Sequence, residues 1–360
     1  MFLLKAKVTY TVFLVMNIVV IASVIACTSS GDNHVKMRVL CAGSLMVPFH
    51  EIEKEYEAQH PDVDVLIEGH GSIQVIRHVT ELYEEADVLV VADHSLIPMM
   101  MYNTKIPDTT ENYADWYVGF VTNAMVIAYT PESKYADEID ATNWYEILSR
   151  PDVRVGISDA RLDSCGYRAL MLCQLAEAYY GNQTIFEDII GEFSVPITVS
   201  ESNGVHTIAV PEMLRPTSKR VFLRGGSVWL IAPLQSGDID YAFEYESVAR
   251  QHRLQFVSLP AEIDLSSADY ADSYDGVKCE LEFQRFASVN PEFQGKPIVY
   301  GITIPASAPH PESAAQFTEF LISTEGKKIL SQASQPPLVP PITDGNVNLP
   351  PSLRLSLQGE

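Results

Sequence analysis

Positive charge is what this sequence has least of: 24 lysines and arginines stand against 47 aspartates and glutamates, for a formal net charge of −23 at pH 7. Proteins that bind nucleic acid present clustered basic side chains to the phosphates, so nucleic acid is excluded as a partner. The acidic balance favours a soluble monomer. Cysteine is scarce too, with five in the chain and none at a spacing that holds zinc or an iron–sulfur cluster. The nine histidines are scattered, without the i, i+4 spacing of helical zinc ligands. Met99, Met100 and Met101 read as core residues rather than a copper site. A Gly-x-Ser-x-Gly elbow, a Walker loop and a G-x-G-x-x-G fingerprint are all absent. Without a repeat or a catalytic signature, the chain is not expected to be an enzyme.

One long apolar run is present. Lys5 and Lys7 precede the stretch Val8 to Ala26, and Cys27 follows it, which is the pattern of an export signal over residues 1–26. A run of this length also suffices to cross a bilayer. "SVIAC" resembles a lipobox, so cleavage before Cys27 and a lipid anchor on that cysteine are expected. Residues 27–35, with "TSSGDN", then form a polar tether. The folded part is placed outside the cytoplasm, held at the cell membrane. Four cysteines belong to it. Cys165 and Cys173 lie eight apart on one predicted helix, roughly 12 Å at helical rise and too far to bridge. Cys41 and Cys279 fall in strand-like surroundings that leave their pairing open, and the set reads as buried small apolar thiols.

Behind the leader, short apolar runs alternate with helical patterns: Met37 to Cys41, a helix to about Ala58, Val63 to Glu68, a helix from Ile73 to Glu84, then Ala86 to Val91. This alternation marks βαβ units and a parallel sheet. "VTNAMVIAYTP" at 121–131 reads as a further strand, a strand ends at Ser158, and a long helix stops at Gly181. The fold class is α/β, and two lobes account for the pattern better than one sheet. Residues 36–118 and 250–345 are assigned to lobe 1, 119–249 to lobe 2 and 346–360 to a flexible tail, with crossings near 117–125 and 245–260. Ligands of open α/β sheets sit beyond the carboxyl ends of strands, so a groove between the lobes is the expected binding place.

The residues at strand-to-helix turns there are small and uncharged. Gly43-Ser44 follows the first strand and Gly71-Ser72 repeats the device after the second. The first amides of a helix lack internal partners, so a hydroxyl and free N–H groups at two such turns suit an anion, although a serine in this place also serves simply as a helix cap. Asp163, ahead of the long helix, is either its cap or a carboxylate facing the groove. His70 in "GHGS" and Tyr245 in "YAFEYESVA" are further candidates.

Together, "VLCAGSLMVPF", "EADVLVVADHSLI", "NWYEILSRPDVRVGISD", "LDSCGYRAL", "SGDIDYAFEYESVA", "LPAEIDLSSADYA", "GKPIVYGITIP" and "PPLVPP" resemble the molybdate/tungstate-binding lipoproteins of ABC importers, of the type typical of archaea. The resemblance implies a hinge-linked, two-lobed fold like the type II periplasmic binding proteins, with the ligand in the interlobe cleft. It implies a small oxyanion, molybdate or tungstate, as ligand, no separate cofactor, and a membrane permease and ATPase as partners. Ligand contacts carry over to Gly43, Ser44, Ser72, Asp163, Ser164, Cys165 and Tyr245. Asp163 matches one of two carboxylates that complete six-coordination of the oxyanion's metal. The other is a glutamate eighteen residues before the tyrosine, and here that place holds Ser227. Ser164 stands where proline is usual, which frees one N–H. Glu244 and Glu246 flank Tyr245, but strand alternation turns both from the face it uses. The alternatives are a tetrahedral anion held by hydrogen bonds, another solute such as sulfate, phosphate or an organic acid, and a non-transport sensor on the same scaffold.

Overall fold

The computed structural model describes residues 34–282 and 291–358. The expected export signal, Cys27 and most of the tether lie outside the described residues. In chain order the strands are β1 (Val35–Ala42), β2 (Val63–His70), β3 (Val88–Val91), β4 (Tyr117–Thr122), β5 (Met125–Tyr129), β6 (Val155–Ser158), β7 (Thr198–Ser202), β8 (Val205–Val210), β9 (Val221–Arg224), β10 (Tyr241–Tyr245), β11 (Gln255–Ser258), β12 (Val277–Leu281), β13 (Glu292–Gln294), β14 (Val299–Thr303) and β15 (Pro337–Asp344). They form a six-stranded sheet in the order β15-β4-β14-β3-β1-β2, a five-stranded sheet β11-β5-β10-β6-β9 and a four-stranded sheet β13-β12-β8-β7.

Lobe 1 is organised on β1, which pairs in parallel with both β2 and β3. A strand flanked and covered on both faces reads as a continuous apolar run, and Val39, Leu40 and Cys41 are fully buried. Helix α1 (Met46–Gln59) places Phe49, Ile52 and Tyr56 on one face at helical spacing. Phe49 and Tyr56 meet Phe317 edge-on, at ring separations of 6.3 and 5.3 Å. Helix α2 (Ser72–Thr80) follows β2. In lobe 2, helix α3 (Ser164–Tyr180) covers the second sheet and ends at Gly181, whose φ of 68° supplies the left-handed stop.

The chain crosses between lobes in ways that hydrophobic pattern does not mark. Residues 121–131 are two strands in different sheets rather than one, broken at Asn123–Ala124. Asn123 donates to Ser247 Oγ (2.8 Å) and Tyr300 Oη (3.0 Å), so a buried amide pins the crossing. The return comes later than residue 250. β11 pairs with β5 and β12 with β8, so the chain rejoins the first sheet at β14. Within the expected flexible tail, Pro351–Gln358 is a helix, packed on Pro311–Ile322 with Leu353 fully buried. All four cysteines of the folded part are free and buried.

The lobes meet backbone to backbone. Ile73 N–H and Gln74 N–H, in the first turn of α2, donate to the Leu162 carbonyl of lobe 2 at 3.1 and 3.4 Å. A Cβ on Gly71 would stand 2.4 Å from that oxygen, so only glycine allows this approach. Beside it, at the start of α3, a Cβ on Gly166 would come within 2.4 Å of the Ser158 carbonyl and 2.6 Å of the Ala160 nitrogen. Gly166→Ala is therefore expected to force α3 off the end of β6 and lower stability by about 2 kcal/mol. A thermal melt should fall by several degrees, and an unchanged melt would show that the helix moves freely there.

Candidate functional site

Five turns converge where the lobes face each other. After β1 the chain makes a tight turn over Gly43–Leu45, and the Ser44 hydroxyl lies 2.9 Å from that of Tyr300. After β2, Gly71 is the N-cap of α2 and Ser72 its first residue. Ser72 Oγ accepts the Ala92 N–H at 2.9 Å. Neither serine caps its helix. Asp163 occupies the N-cap position of α3, yet its side chain makes no capping bond. Its Oδ2 instead accepts the Ser227 N–H at 2.9 Å, from the turn that follows β9.

These turns enclose a cavity with a free volume of about 10 Å³, the room of roughly one water molecule. Lobe 1 contributes Gly43, Ser44, Gly69, His70 and Gly71. Lobe 2 contributes Asp163, Gly226, Ser227, Val228, Trp229 and Tyr245. Of the residues singled out from sequence, Gly43, Ser44, His70, Gly71, Asp163, Ser227 and Tyr245 line the cavity. Ser72, Ser164 and Cys165 do not: they are buried behind its wall, and Cys165 Sγ points to the Phe243 carbonyl at 3.6 Å. Val228 closes against Gly43, where a Cβ would meet its methyl at 2.9 Å. Trp229, 48% exposed, stands at the rim.

The electrostatics are set by burial. Asp163 is 6% exposed, and burial raises its carboxyl above the ordinary range while the Ser227 and Ser72 amides act to lower it. His70 is pulled down by burial and by His78, whose ring lies 4.3 Å away, so at neutral pH it leans towards the uncharged form.

Two ionisable residues lie behind the wall: Arg168, which the sequence did not single out, and Glu244, which strand alternation set aside. Arg168, on α3 and 2% exposed, donates to Tyr245 Oη (2.7 Å) and to the Ala92 carbonyl (2.8 Å). It also stands 3.4 Å from Asp93 Oδ2, to which Tyr167 donates at 2.8 Å. Burial opposes the Arg168 charge, but Tyr245, Asp93 and Tyr167 overcome it and the guanidinium stays charged. Burial likewise opposes the Asp93 charge, yet Lys296 and Arg168 hold its carboxyl well below the usual range. The available signal was that α3 is uncharged from Ser164 to Ala176 apart from this one arginine.

The second is Glu244. It is fully buried, and its Oε1 accepts both Ser227 Oγ–H (3.0 Å) and the Tyr245 N–H (2.9 Å). Alternation does not turn it away from the site, because β10 ends at Tyr245 and the flexible carboxylate folds forward over its neighbour's amide. Chemically the cavity is a small polar enclosure of peptide groups, hydroxyls, one phenol, one imidazole and one direct carboxylate. Among the described residues, no group of three or more His, Cys, Asp and Glu side chains converges to hold a metal ion.

Comparison with known proteins gives this architecture its relatives. The model of the bacterial extracellular solute-binding protein family matches residues 37–333. An uncharacterized solute-binding protein of Methanoculleus marisnigri is 46% identical over 306 residues, 85% of this chain and 82% of its own. The molybdate/tungstate-binding protein WtpA of Pyrococcus abyssi is 41% identical, covering 89% of this chain and 90% of its own. Among solved structures, the sulfate-binding protein SubI of Mycobacterium tuberculosis superposes with a TM-score of 0.55 at 14% identity, over 85% of this chain and 88% of that one. The periplasmic molybdate-binding protein of Azotobacter vinelandii gives 0.51 at 13% identity, over 83% and 98%. At such identities these two speak for the fold alone, the two-lobed type II architecture of periplasmic binding proteins. With most of its length matched by the family model and by relatives above 40% identity, the chain belongs to the extracellular solute-binding proteins.

Proposed function

We propose that this protein captures a tetraoxyanion, tungstate or molybdate, outside the cytoplasm and delivers it to a permease and ATPase of an ABC importer. In this reading it is tethered to the membrane through Cys27, acts as a monomer and performs no catalysis. The observation that carries the reading is the cavity itself: a closed polar space of about 10 Å³ between two Gly-Ser turns and Asp163. The 41% identical relative bears the name of a molybdate/tungstate-binding protein. A four-oxygen anion needs more than one water's room, so the lobes part slightly around it.

Asp163 makes this reading sharp. A carboxylate beside a dianion is repulsive unless it completes the coordination of the anion's metal. If it is a direct ligand, Asp163→Asn weakens tungstate binding by roughly tenfold or more, the cost of removing a charged partner in a buried site. If the anion is held as a tetrahedron by hydrogen bonds alone, the same change removes a repulsion and tightens binding. We expect the loss, measured by calorimetry.

Calorimetry of the soluble domain with tungstate, molybdate, sulfate and phosphate tests the whole reading. Tungstate or molybdate should bind most tightly, and no heat or thermal shift with any of the four would reject it. Gly71→Ala separates binding from closure. A Cβ there collides with the Leu162 carbonyl, so the variant should keep its melting temperature but lose the shrinkage in radius of gyration that tungstate causes in the parent, as read by small-angle scattering.

A further inference from the structure

Ser227 lines the cavity, and a carboxylate lies directly behind it. Glu244 Oε1 accepts the Ser227 hydroxyl, while its Oε2 has no hydrogen-bond partner among the described residues. The groups around it are few. Its own strand gives the Tyr245 amide, and the turn after β9 gives Ser227. Asp163 and Cys165 approach from the start of α3, Asp163 on the far side of Ser227. The cation of that helix, Arg168, is committed to Tyr245, Ala92 and Asp93. A buried carboxylate without a cation favours its neutral form.

We propose that Glu244 is a specificity-determining residue of the cleft: through Ser227 it sets whether this wall meets a guest with a hydrogen-bond donor or only with acceptors. The inference rests on the oxyanion reading above. A serine hydroxyl has one proton. While Glu244 is ionised, Ser227 spends that proton on the carboxylate and turns only lone pairs to the cavity, which repels a fully deprotonated oxyanion. Once Glu244 takes up a proton, the acid O–H donates to Ser227 Oγ and frees the serine proton for an oxo oxygen. No covalent bond to the guest forms or breaks; one proton moves from solvent to Glu244.

The sign follows from the carboxyl's position. Burial pushes Glu244 up to about 8, the Tyr245 amide and Ser227 hydroxyl act against that rise, and Asp163 adds to it. Below that pH the acid is already protonated and tungstate affinity is flat. Above it each capture must draw a proton from solvent, so affinity falls by up to about tenfold per pH unit.

Calorimetry with tungstate at pH 7 and pH 9, each in two buffers of different ionisation heat, reads both effects. The parent protein should take up close to no proton at pH 7 and close to one at pH 9. Glu244→Gln, whose amide N–H still donates to Ser227, should bind with no proton uptake and a flat profile from pH 7 to 9. Ser227→Ala, which breaks the relay without touching the acid, should bind more weakly at pH 7 and lose the steep fall. A parent profile without proton uptake at pH 9, or a fall that persists unchanged in either variant, overturns the role of Glu244. A parent that gives no heat with tungstate at pH 7 overturns the oxyanion reading instead.

Discussion

The cleft depends on one buried guanidinium. Arg168 reaches from α3 of lobe 2 to the Ala92 carbonyl and Asp93 at the end of β3 in lobe 1, and on the way it donates to the phenol of Tyr245. Desolvating such a charge is expensive. It is tolerable here because carbonyl, phenol and carboxylate oxygens all point at the same group, with Lys296 3.5 Å from Asp93 on the other side. These partners come from both half-shells, so the full set exists only with the lobes together. The arrangement also amends the expectation of a site made solely of peptide groups and hydroxyls. No lysine or arginine lines the cavity among the described residues, yet a full positive charge sits one phenol behind it.

The parts of the fold legible in sequence are those where local and tertiary demands agree. The β1, α1, β2, α2, β3 succession is strongly periodic, its turns carry glycine and serine, and its elements fall within a few residues of the expected ones. The third sheet was not anticipated, although its signal was present. Asn203 and Gly204, with φ of 54° and 80°, form the two-residue turn that Asn-Gly favours between β7 and β8. The split of residues 121–131 into two strands of different sheets was hidden because an apolar run looks the same whether it stays in one sheet or leaves it. The terminal helix was missed because its anchors, Leu349 and Leu353, are isolated among prolines and polar residues.

The site divides along the same line. Residues at strand ends, such as Ser44 and Asp163, could be located because the topology of an α/β lobe fixes where strand ends point. What could not be read was depth. Ser72 and Cys165 share those turns but face inward, and the side-chain direction of a turn residue follows from partners far away in sequence. Glu244 shows the limit of the alternation rule: at the penultimate residue of β10 a long side chain bends forward to accept the following amide.

The seam at Leu162 is written in main-chain atoms. Its two amides and one carbonyl belong to any residue that tolerates the local backbone, so the identities at positions 73, 74 and 162 scarcely matter to it. Only Gly71 is held fixed, by lack of space. The side chains that face the guest, by contrast, are not needed for the half-shells to meet. Substitutions among those facing side chains leave the main-chain latch untouched, so the grip on the guest and the act of shutting are separable properties of the scaffold.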